Sequence, residues 1–284
     1  MAGVLFDGIA YGSLLFIVSL GLSVTMGLMN FVNLAHGAFA MAGGYVSVVA
    51  MTRFGVPFLA ALPLAFIVTA AAGALLERTL YRRLYTASHL DQVLFSIGLT
   101  FMAIAAATWI FGPSQQPVRL PEFLRGQWHA AGVDLGIYRT FLIAVVAAIT
   151  GLLALLVERT RFGAQVRAAV DDARTARGLG IDVSRVFSVT FALGSGLAGL
   201  GGALGVDVLG LDPTFPLKFM VYFLLVVVVG GAGNVAGTLV AALLLGMLDV
   251  GAKYYVPQAG AFVIYAAMVV LLIAFPRGLL GARR

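Results

Sequence analysis

The chain has 284 residues, of which 61% are hydrophobic and only 11% are charged. Because soluble domains carry roughly 25% charged residues, this composition excludes both a soluble enzyme and a soluble domain with a single membrane anchor. The formal net charge of +6 is typical of the basic cytoplasmic loops of membrane proteins and does not by itself indicate nucleic-acid binding.

Nine hydrophobic segments follow one another along the chain. They cover approximately residues 8–29, 35–52, 56–76, 91–112, 138–157, 186–206, 218–232, 236–250 and 260–275. At about 20 residues per span, they predict an all-α polytopic membrane protein with eight or nine transmembrane helices and broken or re-entrant segments. The seventh and eighth segments are either two short spans or one helix interrupted by a re-entrant turn. The first is interpreted as a retained helix, since residues 1–7 lack the basic region of a signal peptide.

Arginines between the spans predict the orientation of the chain. They cluster in residues 77–89, in residues 158–185 and in the C-terminal tail. The number of spans between these clusters allows all three to lie on one face, which the excess of positive charge marks as cytoplasmic. With nine crossings the N-terminus lies outside. The proline-rich segment 113–137 is then expected to be an external, irregular connection.

The first unusual segment lies between the first two spans and contains Asn30, Asn33 and His36. Polar groups at membrane depth are costly unless they face a cavity or another polar group, so these residues predict a broken helix that lines a pathway. The alternative is a tight turn whose asparagines cap the next helix. A lone histidine such as His36 is more typical of a hydrogen-bonded structural residue than of a proton relay.

A second glycine-rich break lies between the seventh and eighth hydrophobic segments. Its pathway candidates are Gly230, Gly231, Gly233 and Asn234. Interrupted helices in both halves of a transporter indicate a binding site or pathway, whereas tight helix packing is the alternative explanation for many of the glycines. No Gly-x-x-x-x-Gly-Lys-(Ser/Thr) pattern occurs in the chain, so ATP binding through a P-loop is excluded.

The longest basic loop, residues 158–185, is rich in alanine and predicts a helix over residues 163–177. One face of that helix carries only small residues, namely Ala169, Ala173 and Ala176. We expect this helix to dock into a groove on another protein, with Arg167 and Asp171 forming a weak i, i+4 pair on the helix surface. A merely solvated basic loop is the alternative.

Together these segments resemble the permease subunits of bacterial branched-chain amino-acid ABC importers, the LivH-type permeases, over nearly the whole chain. The family's Asn-x-Ala-His-Gly motif is present at residues 33–37, and Gly-Gly-Tyr follows at 43–45. Its Gly-Gly-x-Gly-(Ser/Asn)-x-x-Gly segment is present at 230–237, and its Pro-x-Gly-(Ile/Leu)-Leu-Gly ending at 276–281. Its cytoplasmic pattern of Arg, Gly, Arg-Ala, Asp, Ala and Gly-Ile begins at Arg161.

The resemblance implies a single permease domain over residues 1–284, with a cytoplasmic coupling-helix loop at about 158–185. The coupling residues that it implies are Gly163, Arg167, Ala168, Asp171, Asp172, Ala176 and Gly180. It also implies four partners in the bacterial inner membrane system: a second, LivM-like permease, two cytoplasmic ATPases that bind ATP and Mg²⁺, and an external substrate-binding protein. The chain itself would bind no cofactor or metal and would have no catalytic residue.

The implied function is ATP-driven uptake of branched-chain or related amino acids delivered by the binding protein. Similar permeases carry urea or short amides, so these substrates are the alternative. A passive channel for small solutes is less favoured, because it would have no use for the small-residue helix in the basic loop. A membrane-embedded enzyme is disfavoured too, since Asp7, Asp207 and Asp249 lie near span ends and belong to no motif.

Overall fold

The computed structural model describes residues 1–29, 31–118, 120–130, 133–275 and 278–279. The described residues form α-helices and one antiparallel hairpin of two strands, β1 (Gln127–Ala130) and β2 (Val133–Gly136). The helices are α1 (Ala2–Met29), α2 (His36–Phe54), α3 (Phe58–Thr79), α4 (His89–Phe111), α5 (Ile137–Arg159), α6 (Arg161–Asp171), α7 (Ala173–Gly178), α8 (Val183–Leu209), α9 (Phe215–Gly230), α10 (Val235–Tyr255) and α11 (Gly260–Ala274).

Six of the helices in the described part of the chain, α1, α3, α4, α5, α8 and α10, are long and apolar enough to cross a membrane. Helix α9 and residues Phe262–Ala274 of α11 are apolar but shorter. Each of the nine predicted hydrophobic segments coincides with one helix. The prediction of an all-α polytopic membrane protein is therefore confirmed, and the count of eight or nine crossings stays a prediction.

Helices α1 and α8 form the centre of the bundle. In the most apolar 18-residue stretch of each, 78% of the residues are buried, whereas 17% and 11% are buried in the corresponding stretches of α4 and α5. Since those two helices present long apolar side chains outward, for example Phe101 and Leu152, they form the periphery that faces lipid in a membrane protein.

Glycines bring the central helices into backbone contact. A Cβ on Gly21 of α1 would overlap the carbonyl of Gly194 of α8, and a Cβ on Gly43 of α2 would overlap the backbone of Gly199. Similar overlaps would occur where α1 crosses α10 and where α8 crosses α2, at Gly12, Gly246 and Gly202. Close approach between small residues is the usual basis of helix association in lipid. These glycines therefore serve packing, as the alternative explanation proposed.

The glycine-rich turn 231–234 separates two antiparallel helices. Gly230, at the end of α9, lies against Thr238, at the start of α10. Farther along the same pair, the Tyr222 hydroxyl lies 3.5 Å from Asp249. The chain reverses through Gly231 and Gly233, which both have positive φ angles, so the seventh and eighth segments are two antiparallel helices joined by a turn, and the number of membrane crossings that they make stays a prediction.

The segment 113–137 is more regular than predicted. In addition to the hairpin, a short 3₁₀ turn spans Glu122–Leu124. In the hairpin, Gln127 pairs with Gly136 and Trp128 pairs with Leu135. Strands of four residues are too short to show the alternation of apolar and polar residues by which a strand is recognised in a sequence.

The glycine contacts predict a large difference between two Gly→Ala substitutions. In Gly202→Ala the new methyl group would overlap the backbone of Ala40, which is expected to lower the free energy of unfolding by about 1–3 kcal/mol. In Gly98→Ala, on α4, the methyl group meets no atom within 4 Å, so stability is expected to stay equal or to rise by up to about 1 kcal/mol. Thermal unfolding of the two variants in detergent measures the difference, and equal melting temperatures would contradict the proposed role of Gly202.

Candidate functional site

The two ends of the helix bundle differ in charge and in structure. At one end, the basic end, residues 77–89 meet α6, α7 and the start of α8. There the buried Glu77 carboxylate accepts hydrogen bonds from the hydroxyls of Tyr85, at 2.6 Å, and of Ser188. The Tyr85 ring also packs edge-on against Phe187. At the opposite end, the hairpin end, β2 packs beside α1 and α5 and pairs with β1.

Two of the three predicted basic segments thus meet at one end of the bundle, as the charge pattern requires. The arginines of the third segment, Arg277, Arg283 and Arg284, lie outside the described residues. Leu279, from the same tail, donates its N–H to the Val229 carbonyl at 2.7 Å, which places the described part of the tail beside the turn 231–234.

The first break returns the chain to the interior of the bundle. Helix α1 ends at Met29, yet the His36 ring, at the start of α2, lies 2.9 Å from the carbonyl oxygen of Val18. Val18 lies about 16 Å before the end of α1, at 1.5 Å per residue. Helix α2 therefore begins deep inside the bundle. His36 is buried and hydrogen-bonded, as expected of a structural histidine.

Asn33 is buried in the same break and organises it. Its Oδ1 accepts hydrogen bonds from the Ala35 N–H at 3.1 Å and from the Tyr81 hydroxyl at 3.0 Å. Its Nδ2 has no hydrogen-bond partner among the described residues. Aromatic rings enclose the Tyr81 side chain, namely Phe31, Phe95 and Phe191. Asn33 thus closes a local turn and retains one buried donor; Asn30 lies outside the described residues.

A segment that the sequence analysis missed lies against this break. Residues 210–214 connect α8 to α9, and Pro216 packs so closely on Gly37 that a Cβ there would lie 3.1 Å from the Pro216 Cα. Phe215 and Pro216 are buried, so the starts of α2 and α9 meet inside the bundle. Proline in the first turn of a helix, after an aspartate that caps the turn, is a signal that could have identified this start. Asp212 does accept a hydrogen bond from the Thr214 N–H at 2.8 Å.

The second break packs on a different stretch of α1. The Gly233 N–H donates to the Ser23 carbonyl at 2.9 Å, and the Ser23 hydroxyl lies 2.8 Å from that of Thr238. The Gly233 backbone also approaches Gly27 closely. Asn234 accepts from the Gly237 N–H at 2.9 Å and thereby caps α10. The two breaks therefore contact α1 at levels roughly 8–13 Å apart along its axis.

The predicted coupling helix is two helices, since α6 ends at Asp171 and α7 begins at Ala173. Asp172, between them, has extended backbone angles, and its Oδ1 accepts hydrogen bonds from the N–H groups of Arg174, at 2.8 Å, and Thr175, at 3.1 Å. One continuous helix over 163–177 was therefore the wrong prediction, because Asp172 caps a new helix. Its hydrogen bonds with the hydroxyl and N–H of Thr175 and the N–H of Arg174 hold the pKa of its carboxyl below 3.8.

The small-residue face of this loop is covered by the chain itself. Ala169 and Ala176 are buried in a cluster with apolar residues of α1 and α8, among them Leu28, Val186 and Phe187. The small-residue face therefore packs within this chain, and docking of the helix on another protein stays a prediction. The cause of this packing is the apolar surface that the ends of α1 and α8 expose beside it, which buries the alanines.

The remaining coupling candidates fix the position or the shape of the loop between α5 and α8. A Cβ on Gly163 would overlap the Val157 carbonyl, so glycine permits the tight corner between α5 and α6. The Arg167 guanidinium donates to the same carbonyl and forms no ion pair with Asp171 in the described structure, contrary to the predicted i, i+4 pair. Gly180 takes a positive φ of 83° after α7, and Ala168 is half-buried.

The opposite face of α6 and α7 is open to solvent. It combines apolar and basic side chains, since Val170 is 44% and Leu179 is 77% exposed while Arg174 and Arg177 are also exposed. An exposed apolar surface rimmed by charges is typical of a protein–protein contact. This face is consequently the better candidate for docking.

The Asn33 geometry predicts that the Tyr81 hydroxyl stabilises the first break. Tyr81→Phe removes one of the two donors to a buried acceptor, which is expected to lower the free energy of unfolding by about 1 kcal/mol. Tyr254→Phe is the matched control, because the Tyr254 side chain is 66% exposed. Thermal unfolding in detergent measures both variants. An equal small change in melting temperature in both variants would show that the Tyr81–Asn33 hydrogen bond does not stabilise the protein.

The cap geometry predicts that Asp172 keeps α7 folded. Asp172→Ala is expected to speed amide exchange in residues 173–178, whereas Asp172→Asn keeps an acceptor and should retain protection. Asp171→Ala is the control, since Asp171 is exposed and makes no hydrogen bond within the described part of the chain. Because the folded pKa of Asp172 lies below its unfolded value of 3.8, its stabilising effect is present above that pH and is lost as the pH falls through the folded pKa. Loss of amide protection in residues 173–178 between pH 8 and pH 5 would contradict the proposed role of Asp172.

Comparison with known proteins identifies relatives over nearly the whole chain. A family model described as "Branched-chain amino acid transport system / permease component" matches residues 4–273. The chain is 27% identical to the high-affinity branched-chain amino acid transport system permease protein BraD of Pseudomonas aeruginosa over 291 residues, which cover 98% of this chain and 94% of BraD. It is 26% identical to the permease protein LivH of the same kind of system in Escherichia coli (strain K12) over 294 residues, with the same coverage.

A second type of permease from such systems is also similar. The permease protein LivM of Escherichia coli (strain K12) is 26% identical over 291 residues, which cover 94% of this chain and 68% of LivM. No solved structure matches the chain.

Proposed function

Since the chain belongs to the family of permease components of branched-chain amino-acid transport systems, we propose that it forms, with a second permease, the membrane pathway for ATP-driven uptake of branched-chain or related amino acids. The observation that carries this proposal is the family match over residues 4–273. The chain lacks a P-loop, so two separate cytoplasmic ATPase subunits would bind ATP and Mg²⁺. A binding protein would deliver the amino acid from outside.

The proposed orientation places the basic end in the cytoplasm of a bacterium and the hairpin end outside its inner membrane. Nine crossings follow if α2, α9 and α11 cross together with the six longer helices. The antiparallel pairing of α9 and α10 supports this count, and the meeting of two basic segments at one end supports the orientation. The N-terminus would then lie outside.

The proposed second permease is of the LivM type. The similarity of this chain to both LivH and LivM supports a pair of related subunits with the pathway between or beside them. Within this chain, the pathway would run near the two breaks, bordered by Asn33, His36 and the turn at Gly230, Gly231, Gly233 and Asn234. The buried, unpartnered Nδ2 of Asn33 and the two helix starts at Gly37 and Pro216 favour the first break.

Coupling to the ATPases is assigned to the exposed face of α6 and α7. Val170 and Leu179 supply apolar contact, and the exposed arginines supply charge. The buried face, with Ala169 and Ala176, would transmit movement, because it packs directly on the ends of α1 and α8. Gly163 and Arg167 would hold the loop to α5, and Asp172 and Gly180 would fix its shape.

Reconstitution of the complex in proteoliposomes tests the function. The permease pair with its ATPases inside and its binding protein outside is expected to accumulate radiolabelled leucine only when ATP is enclosed. Unlabelled valine and isoleucine should compete, whereas urea and acetamide should not. Competition by urea or acetamide alone would favour the alternative substrates, and ATP-independent equilibration of leucine would favour the passive channel.

The coupling assignment predicts the effect of one exposed substitution. Leu179→Glu is expected to reduce co-purification of the ATPase subunits and leucine uptake at least tenfold, since it places a charge in the centre of the proposed contact. Val256→Glu is the matched control, because Val256 is exposed between α10 and α11, away from the basic end. Full uptake by Leu179→Glu would place the ATPase contact elsewhere on the chain.

A further inference from the structure

A cavity of about 440 Å³ opens at the hairpin end, between the β-hairpin, the start of α5 and the end of α8. Three charged side chains line it, namely Arg125, Arg139 and Asp207. Apolar groups complete its wall, among them Leu120, Leu124 and Val208. Its volume lies in the range of about 300–1,000 Å³ that is typical of small-molecule sites.

Arg125 has no counter-charge among the described residues, whereas the Asp207 carboxylate interacts electrostatically with Arg139. The Arg139 guanidinium forms an ion pair with Asp7 of α1. The side chains of Arg125 and Asp207 are exposed and form neither an ion pair nor a hydrogen bond with any described residue. The Arg125 guanidinium and the Asp207 carboxylate therefore both keep open hydrogen-bonding positions on the wall of the same cavity.

The wall of the cavity is tied to the helix bundle. The buried Tyr138, at the start of α5, donates its hydroxyl to the Leu204 carbonyl of α8. The adjacent Ile137 donates its N–H to the Gly126 carbonyl at 3.2 Å, beside Arg125. These bonds connect the loop that carries Arg125 to the helix that carries Asp207, so the backbone positions of the two residues are fixed relative to each other.

We propose that this cavity, which we call the mouth site, binds a free α-amino acid with an aliphatic side chain. The α-carboxylate would pair with the Arg125 guanidinium in a charge-assisted contact, and the α-ammonium with the Asp207 carboxylate. The aliphatic side chain would lie on Leu120, Leu124 and Val208. A zwitterion matches a site that offers both signs of charge beside an apolar wall, whereas urea and neutral amides have no charges to satisfy these groups.

The mouth site rests on the proposed import of amino acids and adds a place where the substrate binds the permease itself. If the hairpin end lies outside, the amino acid occupies the site after the binding protein has released it. Free substrate would then be retained at the membrane before it enters the pathway.

Equilibrium dialysis against the purified permease pair in nanodiscs, without the binding protein, tests the site. The radiolabelled probes are leucine, leucinamide (which lacks the carboxylate) and 4-methylpentanoate (which lacks the ammonium). Asp207→Asn is expected to weaken leucine and leucinamide at least tenfold and to leave 4-methylpentanoate unchanged. Arg125→Gln should weaken leucine and 4-methylpentanoate and leave leucinamide unchanged. Asp134→Asn, on β2 outside the cavity wall, should change none of them.

For each variant, unchanged binding of one probe shows that the protein is folded: 4-methylpentanoate for Asp207→Asn and leucinamide for Arg125→Gln. Absence of saturable leucine binding to the wild-type pair would overturn the site, as would equal binding of all three probes by wild type and both variants. If the two charges instead contact the binding protein, the variants will raise the binding-protein concentration needed for half-maximal uptake without changing dialysis, and the site is again rejected. Leucine uptake by the wild-type complex tests the proposed function separately, because uptake without binding in dialysis rejects only the mouth site.

Discussion

Backbone contact between helices that lack side chains at their crossings is the constraint on which the other features depend. Gly21 of α1 lies against Gly194 of α8, and Gly43 of α2 lies against Gly199. At these two crossings the helix backbones are in direct contact. In lipid no hydrophobic force drives helices together, so van der Waals contact over such surfaces supplies the association. The buried start of α2 is placed by the same contacts, because α2 follows α8 closely enough for the His36 ring to contact α1.

Nine apolar helices in the described part of the chain could be predicted from the sequence, because the length of an apolar run alone identifies a helix in a membrane protein. The contact of Gly37 with Pro216 could not, since residues about 180 positions apart meet only after the bundle has formed. The alanines of α6 and α7 illustrate the same limit. Their pattern correctly indicated a face that packs, but whether that face meets another protein or Phe187 of the same chain depends on tertiary structure. The Asp172 cap could have been predicted from the local sequence, and it was missed because the alanine content favoured a longer helix.

The basic end shows how a peripheral loop can act on the centre of the molecule. Helices α6 and α7 are bonded to α5 through Gly163 and Arg167, and they are packed on α1 and α8 through their alanines. Beside them, Glu77 connects α3 to α8 through the Ser188 hydroxyl. A displacement of the loop therefore reaches four membrane helices within one layer of side chains. Several of the arginines from which the orientation is predicted lie on this loop, beside the surface proposed for coupling.

The glycine crossings also determine what kind of movement the bundle permits. Helices joined by interdigitated side chains must separate before they shift, because each side chain occupies a hole in its neighbour. At Gly21–Gly194 and Gly12–Gly246 the facing surfaces are smooth, so one helix can pivot or slide on the other without first moving apart. These close backbone contacts then also permit movement, and a transport cycle can reorient α1, α8 and α10 while the bundle stays sealed against lipid.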